Sequence, residues 1–193
     1  MLHPHLRSNT DTAHQQLEKQ FVSMLQLVKS PEDYERFLKL IASFLVPMEL
    51  MLHQFPLETL VPDIEKRKKS QDLLADIKHF DTNWQLTNIA SLPHLTTIYE
   101  ALGALYVLEG STLGGPIIAR MIRNQTGLTS SLQYFENYKD SRKTMWDSFR
   151  TALDEPVLQP HTEIITSSAI RCFTAYQKWL ELNSTSFYAK NSN

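Results

Sequence analysis

Apolar positions recur at three- and four-residue steps along most of the chain, and no stretch keeps the strict alternation of a strand. Leu17, Phe21, Met24, Leu25 and Val28 mark one face of a first helix running from about Thr10 to Lys29. Ser30, Pro31 and Asp33 supply a cap, a first-turn proline and a capping-box acid ahead of Tyr34, Phe37, Leu38, Ile41, Phe44, Leu45 and Met48, so a second helix starts there. Pro47 falls inside that pattern and predicts a kink. Ile64, Leu73, Leu74 and Ile77 suggest a third helix, with the run Lys66, Arg67, Lys68 and Lys69 as its solvated face. Pro93 opens a long fourth segment ending near Gly127. A fifth helix carries Met145, Trp146, Phe149 and Leu153 and stops before Pro156, and a sixth begins near Pro160 with Ile164, Ala169, Cys172, Phe173, Tyr176 and Trp179 at helical spacing. The pattern predicts an all-α bundle, a single domain over residues 1–193, with residues 1–8 and 183–193 frayed.

Composition narrows the function classes. A chain of 193 residues that is 42% hydrophobic can bury one sizeable core. A formal net charge of -2 with mixed charges lacks the basic bias of a nucleic-acid binder, so no nucleic-acid partner is expected. Cys172 is the single cysteine, which excludes an internal disulfide and any cysteine-clustered metal site; in an apolar face it reads as an inert thiol. The apolar run LIASFLVPMELML is broken by Pro47 and Glu49 and is shorter than the roughly 20 residues of a spanning helix. With no export signal at the start, the expectation is a cytoplasmic protein with no membrane partner.

The chain has five glycines, and Gly103, Gly110, Gly114 and Gly115 fall within the one segment IYEALGALYVLEGSTLGGPII. Each interior glycine costs a helix about 1 kcal/mol relative to alanine, so the concentration needs a physical cause. One reading ends a helix at Gly110, turns the chain at Gly114 and Gly115, and restarts at Pro116. A phosphate loop is excluded, because GSTLGG lacks the following Lys-Ser/Thr and a preceding strand. The other reading uses the missing side chains: Gly110 and Gly114, four apart, let backbone approach a flat ligand or another helix.

His14 is the candidate anchor for such a ligand. It stands three residues before Leu17 and seven before Phe21, on the apolar side of the first helix, where it is either a core histidine or a ligand. Glu18 at i+4 could accept from one ring nitrogen and leave the other for a metal. Arg7, seven residues before His14, could pair with an acidic group at the ligand's rim or be an ordinary surface arginine. No Glu-x-x-His occurs, which removes the usual di-iron carboxylate pattern.

LRSNTDTAHQQLE near the amino end and ALYVLEGSTLGG near the middle together resemble the heme oxygenase family, particularly its bacterial, phytochrome-associated branch. The resemblance extends over EKRKKSQDLLADI, YFENYKDSRKTMWDSF and the final helix through Phe173 and Trp179. It implies a multi-helical bundle with a kinked, glycine-rich distal helix. His14 then corresponds to the proximal heme ligand, Glu18 to its acidic companion and Arg7 to a basic residue facing a propionate. Gly110, Gly114 and Gly115 fall on the helix lying against heme, Phe173 among the residues around it, and Gly110, Ser111 and Gly114 at the catalytic positions. The implied reaction opens heme to biliverdin, carbon monoxide and ferrous iron, with O2 and an external electron donor, a reductase or ferredoxin; a photoreceptor is an implied acceptor of biliverdin. Better-known members carry aspartate where this chain has Ser111, and many carry glutamine where it has Pro116. Serine has no useful pKa near neutrality, so a heme-carrying protein without turnover is the rival reading. A third reading is a heme-free helical interaction protein.

Overall fold

The computed structural model describes residues 1–189, which form seven α-helices joined by short 3-10 turns and extended segments, with no strand among the described residues. The first helix, α1 (Leu2–Leu25), starts eight residues earlier than the apolar pattern suggested. Leu2, Leu6, Thr10 and Leu17 continue one buried face back through the polar-looking opening, and the Asp154 carboxylate accepts from the His3 N–H at 2.9 Å, satisfying an otherwise orphan donor. Residues 2–8 are therefore not frayed.

Helix α2 (Pro31–Leu52) begins with the expected capping box: the Ser30 hydroxyl accepts from the Asp33 N–H, and the Asp33 carboxylate accepts from the Ser30 N–H. Pro47 stays inside α2. It has no N–H to offer Ser43 four residues back, and that freed carbonyl accepts from Ala90 N–H at 3.0 Å, so the extended segment after residue 80 docks where proline broke the ladder.

The third helix starts later than expected. Residues Ile64–Arg67 form a 3-10 turn, and α3 covers Ser70–Phe80. The intervening backbone is extended at Lys68, so side chains alternate: Arg67 and Lys69 point inward and are buried, while Lys66 is exposed. The basic run is thus not a solvated face, because its residues do not share a helix.

The long glycine-bearing segment is two helices. α4 (Ile98–Ser111) starts from a capping box of Thr97 and Glu100 instead of at Pro93, a 3-10 turn spans Thr112–Gly114, and α5 (Gly115–Thr126) ends at Gly127 with φ 75°. By length and composition Ile98–Thr126 is apolar enough to cross a membrane, unlike the stretch around Pro47; 61% of its most apolar window is buried within this fold.

Helices α6 (Arg142–Leu153) and α7 (Thr162–Ala189) complete the order. α7 continues helically past Asn183, correcting the expected fraying as far as Ala189; residues 190–193 lie outside the described residues. It forms the floor against which α1 and α4 both pack most extensively. Trp179 donates from Nε1 to the Leu40 carbonyl at 3.0 Å, and Ser168 donates to the Glu100 carbonyl at 2.7 Å, fixing the register of α7 against α2 and α4.

Candidate functional site

The four clustered glycines separate by what surrounds them. A Cβ on Gly103 would lie 2.3 Å from the Ile165 carbonyl oxygen, and one on Gly115 would lie 2.1 Å from the Phe135 carbonyl oxygen. Those two glycines let backbone meet backbone within the fold. A Cβ on Gly110 would meet nothing within 4 Å, and one on Gly114 would meet only Ile118 Cδ1, at 3.8 Å. Gly114 has φ -79° and Gly115 φ -49°, ordinary right-handed values, so neither is required for its backbone conformation. Leu113 and Ile117 continue the row of Gly110 and Gly114 at three- and four-residue steps, and both are exposed although apolar. The result is an apolar, uncovered strip along the joint between α4 and α5.

Helices α1 and α4 meet where the Tyr106 hydroxyl contacts the Thr10 side chain. One turn further along each helix come His14 and Gly110. Phe173, on the α7 floor, packs its ring edgewise against the His14 imidazole with centroids 5.6 Å apart. The expectation that His14 points into the core is corrected: Phe173 is buried, but His14 itself is exposed. Among the described residues neither nitrogen of its ring has a hydrogen-bond partner, Glu18 included; Glu18 is an exposed side chain one turn on. Arg7 is exposed one turn before Thr10, close enough to act electrostatically on both Tyr106 and His3. Burial pushes the Tyr106 phenol upward, so it stays neutral at the vertex. The His3 and His5 pair is part of a helix and forms no metal cluster; among the described residues no group of three His, Cys, Asp or Glu side chains could hold a metal ion.

Ser111 is exposed at the joint. Its hydroxyl donates back to the Leu108 carbonyl at 2.7 Å, which leaves the oxygen lone pairs free to accept. Cys172 is fully buried, and burial pushes its thiol up to about 12, so it is no nucleophile.

The family model described as Heme oxygenase matches residues 1–182. The chain belongs to the heme oxygenase family. A relative named "Heme oxygenase" from Xanthomonas campestris pv. campestris (strain 8004) is 48% identical over 54 residues, 28% of this chain and 32% of that protein, so the match spans about a third of the relative's length. The fold is similar to that of heme oxygenase-1 from the cyanobacterium Synechocystis in complex with heme, with a TM-score of 0.81, 19% identity, and 98% of this chain and 95% of that one covered. The NO- and CO-bound heme oxygenase from Neisseria meningitidis gives a TM-score of 0.78 at 23% identity, covering 93% and 90%.

The residues present fit the group that gives the heme oxygenase family its name. A lone unpartnered imidazole cannot hold a metal by itself, but it can complete the coordination of an iron already held by a macrocycle. The uncovered glycine strip is a cradle that a Cβ would fill. Gly115 has no space to share, since Phe135 fills it.

Immediately before Gly110 lies a group the apolar pattern did not reveal. Glu109 is 1% exposed and accepts from Arg67 Nη1 at 2.5 Å, from Lys69 Nζ, and from the Tyr138 hydroxyl at 3.1 Å. Arg67 also donates to Asp63 and to the Met145 carbonyl, and Glu49 accepts from the Lys69 and Ser70 N–H groups. Burial pushes the Tyr138 phenol far up, reinforced by the neighbouring Glu109 charge, so the hydroxyl remains a donor. The signal in the sequence was a lone glutamate inside the apolar run YVLEG, which needs buried cations to be tolerated.

Proposed function

We propose that this chain is a heme oxygenase enzyme that opens heme to biliverdin, carbon monoxide and ferrous iron, using dioxygen and electrons from a separate reductase or ferredoxin. The observations that carry this reading are an exposed unpartnered imidazole at His14 on α1 and open space beside Gly110 and Gly114 at the α4–α5 joint, with α1 and α4 both packed on α7. Heme, when bound, supplies the iron that activates dioxygen and is itself the molecule opened.

The chain's own residues supply position and protons. His14 offers an imidazole nitrogen as ligand, and the edgewise Phe173 ring limits how that ring can turn. Arg7, one turn before the vertex, offers an exposed guanidinium to a carboxylate on the ligand's rim. Glu18 stands close enough along α1 to orient His14 through water. Gly110 and Gly114 keep side chains out of the space in which dioxygen must fit, while Leu113 and Ile117 exclude water beside it. Ser111 is positioned to hold ordered water and, by rotating its hydroxyl away from Leu108, to donate towards the strip. Gly115 acts at one remove, by seating the start of α5 on Phe135.

The finer assignment is the bacterial, phytochrome-associated branch, a cytoplasmic single-domain enzyme whose biliverdin is passed to a photoreceptor; it rests on the motifs around His14 and Gly110. A heme-carrying protein of the same fold is the second reading, favoured by Ser111, which brings no acid to the joint and whose hydroxyl donates to the Leu108 carbonyl. Heme-loaded protein supplied with a ferredoxin and its reductase in air should yield biliverdin and carbon monoxide. A persistent oxygenated complex without ring opening overturns the enzyme reading in favour of the carrier.

A further inference from the structure

The distal strip is uncovered on one face. Elsewhere on α4, Leu105 and Leu108 border a partly open cavity of about 90 Å³ that Glu49, Arg67, Lys68 and Ile64 also line. Protein interiors hold their geometry through close packing, and here apolar packing alone does not set the spacing between α4 and the 64–69 segment. Charge does. Glu109 receives donors from two sides: Arg67 and Lys69 from that segment, and Tyr138 from the chain that precedes α6.

Both approaches are held at some expense in backbone and desolvation. Tyr138 and Lys139 have φ of 60° and 41°, a left-handed pair that bulky side chains rarely adopt, and the bend delivers the Tyr138 hydroxyl to Glu109. The Lys69 side chain is 1% exposed and that of Arg67 is 0% exposed, so neither cation has water as an alternative partner. Such a buried pair does little for stability on balance but is severe on any displacement that separates it. The helix changes from α to 3-10 three residues after Glu109, and both hydroxyls at that change, Ser111 and Thr112, bond back to the carbonyls of Leu108 and Glu109.

We infer that Glu109 is a positioning residue: pinned by Arg67, Lys69 and Tyr138, it fixes the height of the Gly110–Gly114 wall above the cleft and so the space left for a small molecule on heme iron. This rests on the heme reading. Glu109 touches neither heme nor dioxygen. It acts through the backbone of the next residue, so the ligand-side geometry is governed from the back of the helix.

The test compares the unaltered chain with Glu109→Gln, Lys69→Met, the double variant and Tyr138→Phe. The measurements are heme-free melting, hemin affinity, and the C–O stretching frequency of the ferrous carbon monoxide complex, which reports on the wall beside the bound gas. Glu109→Gln leaves two cations without their carboxylate and should shift and broaden the C–O stretch and weaken hemin binding about tenfold, the usual scale for a group supporting a metal site from outside its contacts. Adding Lys69→Met leaves Arg67 balanced by Asp63 and should restore much of both. Tyr138→Phe removes one neutral donor and should move the stretch less, in the same direction; it carries the test if Glu109→Gln does not fold. Lower melting with an unchanged C–O stretch and unchanged hemin affinity, in whichever of these variants folds, overturns the inference and makes the cluster merely stabilising. Failure of the unaltered chain to bind hemin overturns the heme reading itself, and this inference with it.

Discussion

Gly103 and Gly115 are glycines because protein already occupies the place of a side chain; Gly110 and Gly114 are glycines where almost nothing in the protein does. The four lie on one helical path within thirteen residues, yet they answer to opposite causes. The first pair seats α4 on α7 and α5 on Phe135. The second leaves a strip of backbone bare beside two exposed apolar side chains, Leu113 and Ile117. Backbone strain explains neither pair, since the one positive-φ glycine among the described residues is Gly127. A packed glycine reports on the fold, whereas an open one reports on something that must come to lie against it.

The sharpest way to break this comparison is to add the same methyl group at each kind of site. Gly115→Ala places a Cβ 2.1 Å from a backbone oxygen that cannot rotate away, and Gly103→Ala does so at 2.3 Å. Each should lower heme-free stability by about 3 kcal/mol, the upper end of the overpacking range, and the melting temperature by roughly 6–12 °C. Unchanged melting would show that these contacts are soft.

The packed side can also be loosened without touching a glycine. Asp76 is fully buried, accepts from the Gln133 and Tyr134 N–H groups, and so holds the strand of chain that presses on Gly115. Burial pushes its carboxyl up to about 6 from an ordinary 3.8. A raised folded-state value means that the unfolded chain releases this proton first. The stabilisation is therefore present below about pH 4 and lost as pH rises through about 6, with a ceiling of about 3 kcal/mol at 1.36 kcal/mol per unit. The difference in melting between the unaltered chain and Asp76→Asn should move in that direction across the window; a flat difference would remove Asp76 from the account.

On the open side the signs should change. A Cβ at Gly114 meets only Ile118 and the φ there is helical, so Gly114→Leu should lower heme-free melting little, while hemin affinity drops by about tenfold or more, or roughly 1.4 kcal/mol. A variant that melts much earlier but binds hemin normally would contradict the placement of Gly114. The smallest effect belongs to Gly110→Ala, which should stabilise the heme-free chain by about 0.4–1 kcal/mol, because alanine loses less conformational freedom on folding and no atom stands within 4 Å of its methyl. Destabilisation at Gly110 would mean that the strip is covered by protein after all.

Much of the fold was legible in the chain because its signals are local. The Ser30 and Asp33 box, the stop before Pro156 and the apolar faces of α2 and α7 follow from caps and periodicity. What escaped depends on partners distant in sequence. The Asp154 carboxylate on the His3 N–H ties down an amino end that looks polar enough to fray. Lys69 and Arg67 read as solvated because their counterion, Glu109, is forty residues away. In the site, His14, Gly110 and Gly114 were readable by type and spacing, together with the motif resemblance. The division of the glycines into packed and open was not, since Ile165 and Phe135 arrive from elsewhere in the fold. His14 itself misled in one respect: its apolar helical spacing suggested a core position, whereas the helix leaves it exposed, with the Phe173 ring of α7 edgewise beside its own.

The central claim is that the open glycines and the exposed imidazole serve one ligand, and hemin titration of the unaltered chain beside His14→Ala, followed by absorption, tests it most directly. About one equivalent should bind with an imidazole-ligated spectrum, and His14→Ala should lose that spectrum while its heme-free melting stays the same. An identical spectrum in both proteins, or no hemin bound by either, would contradict it.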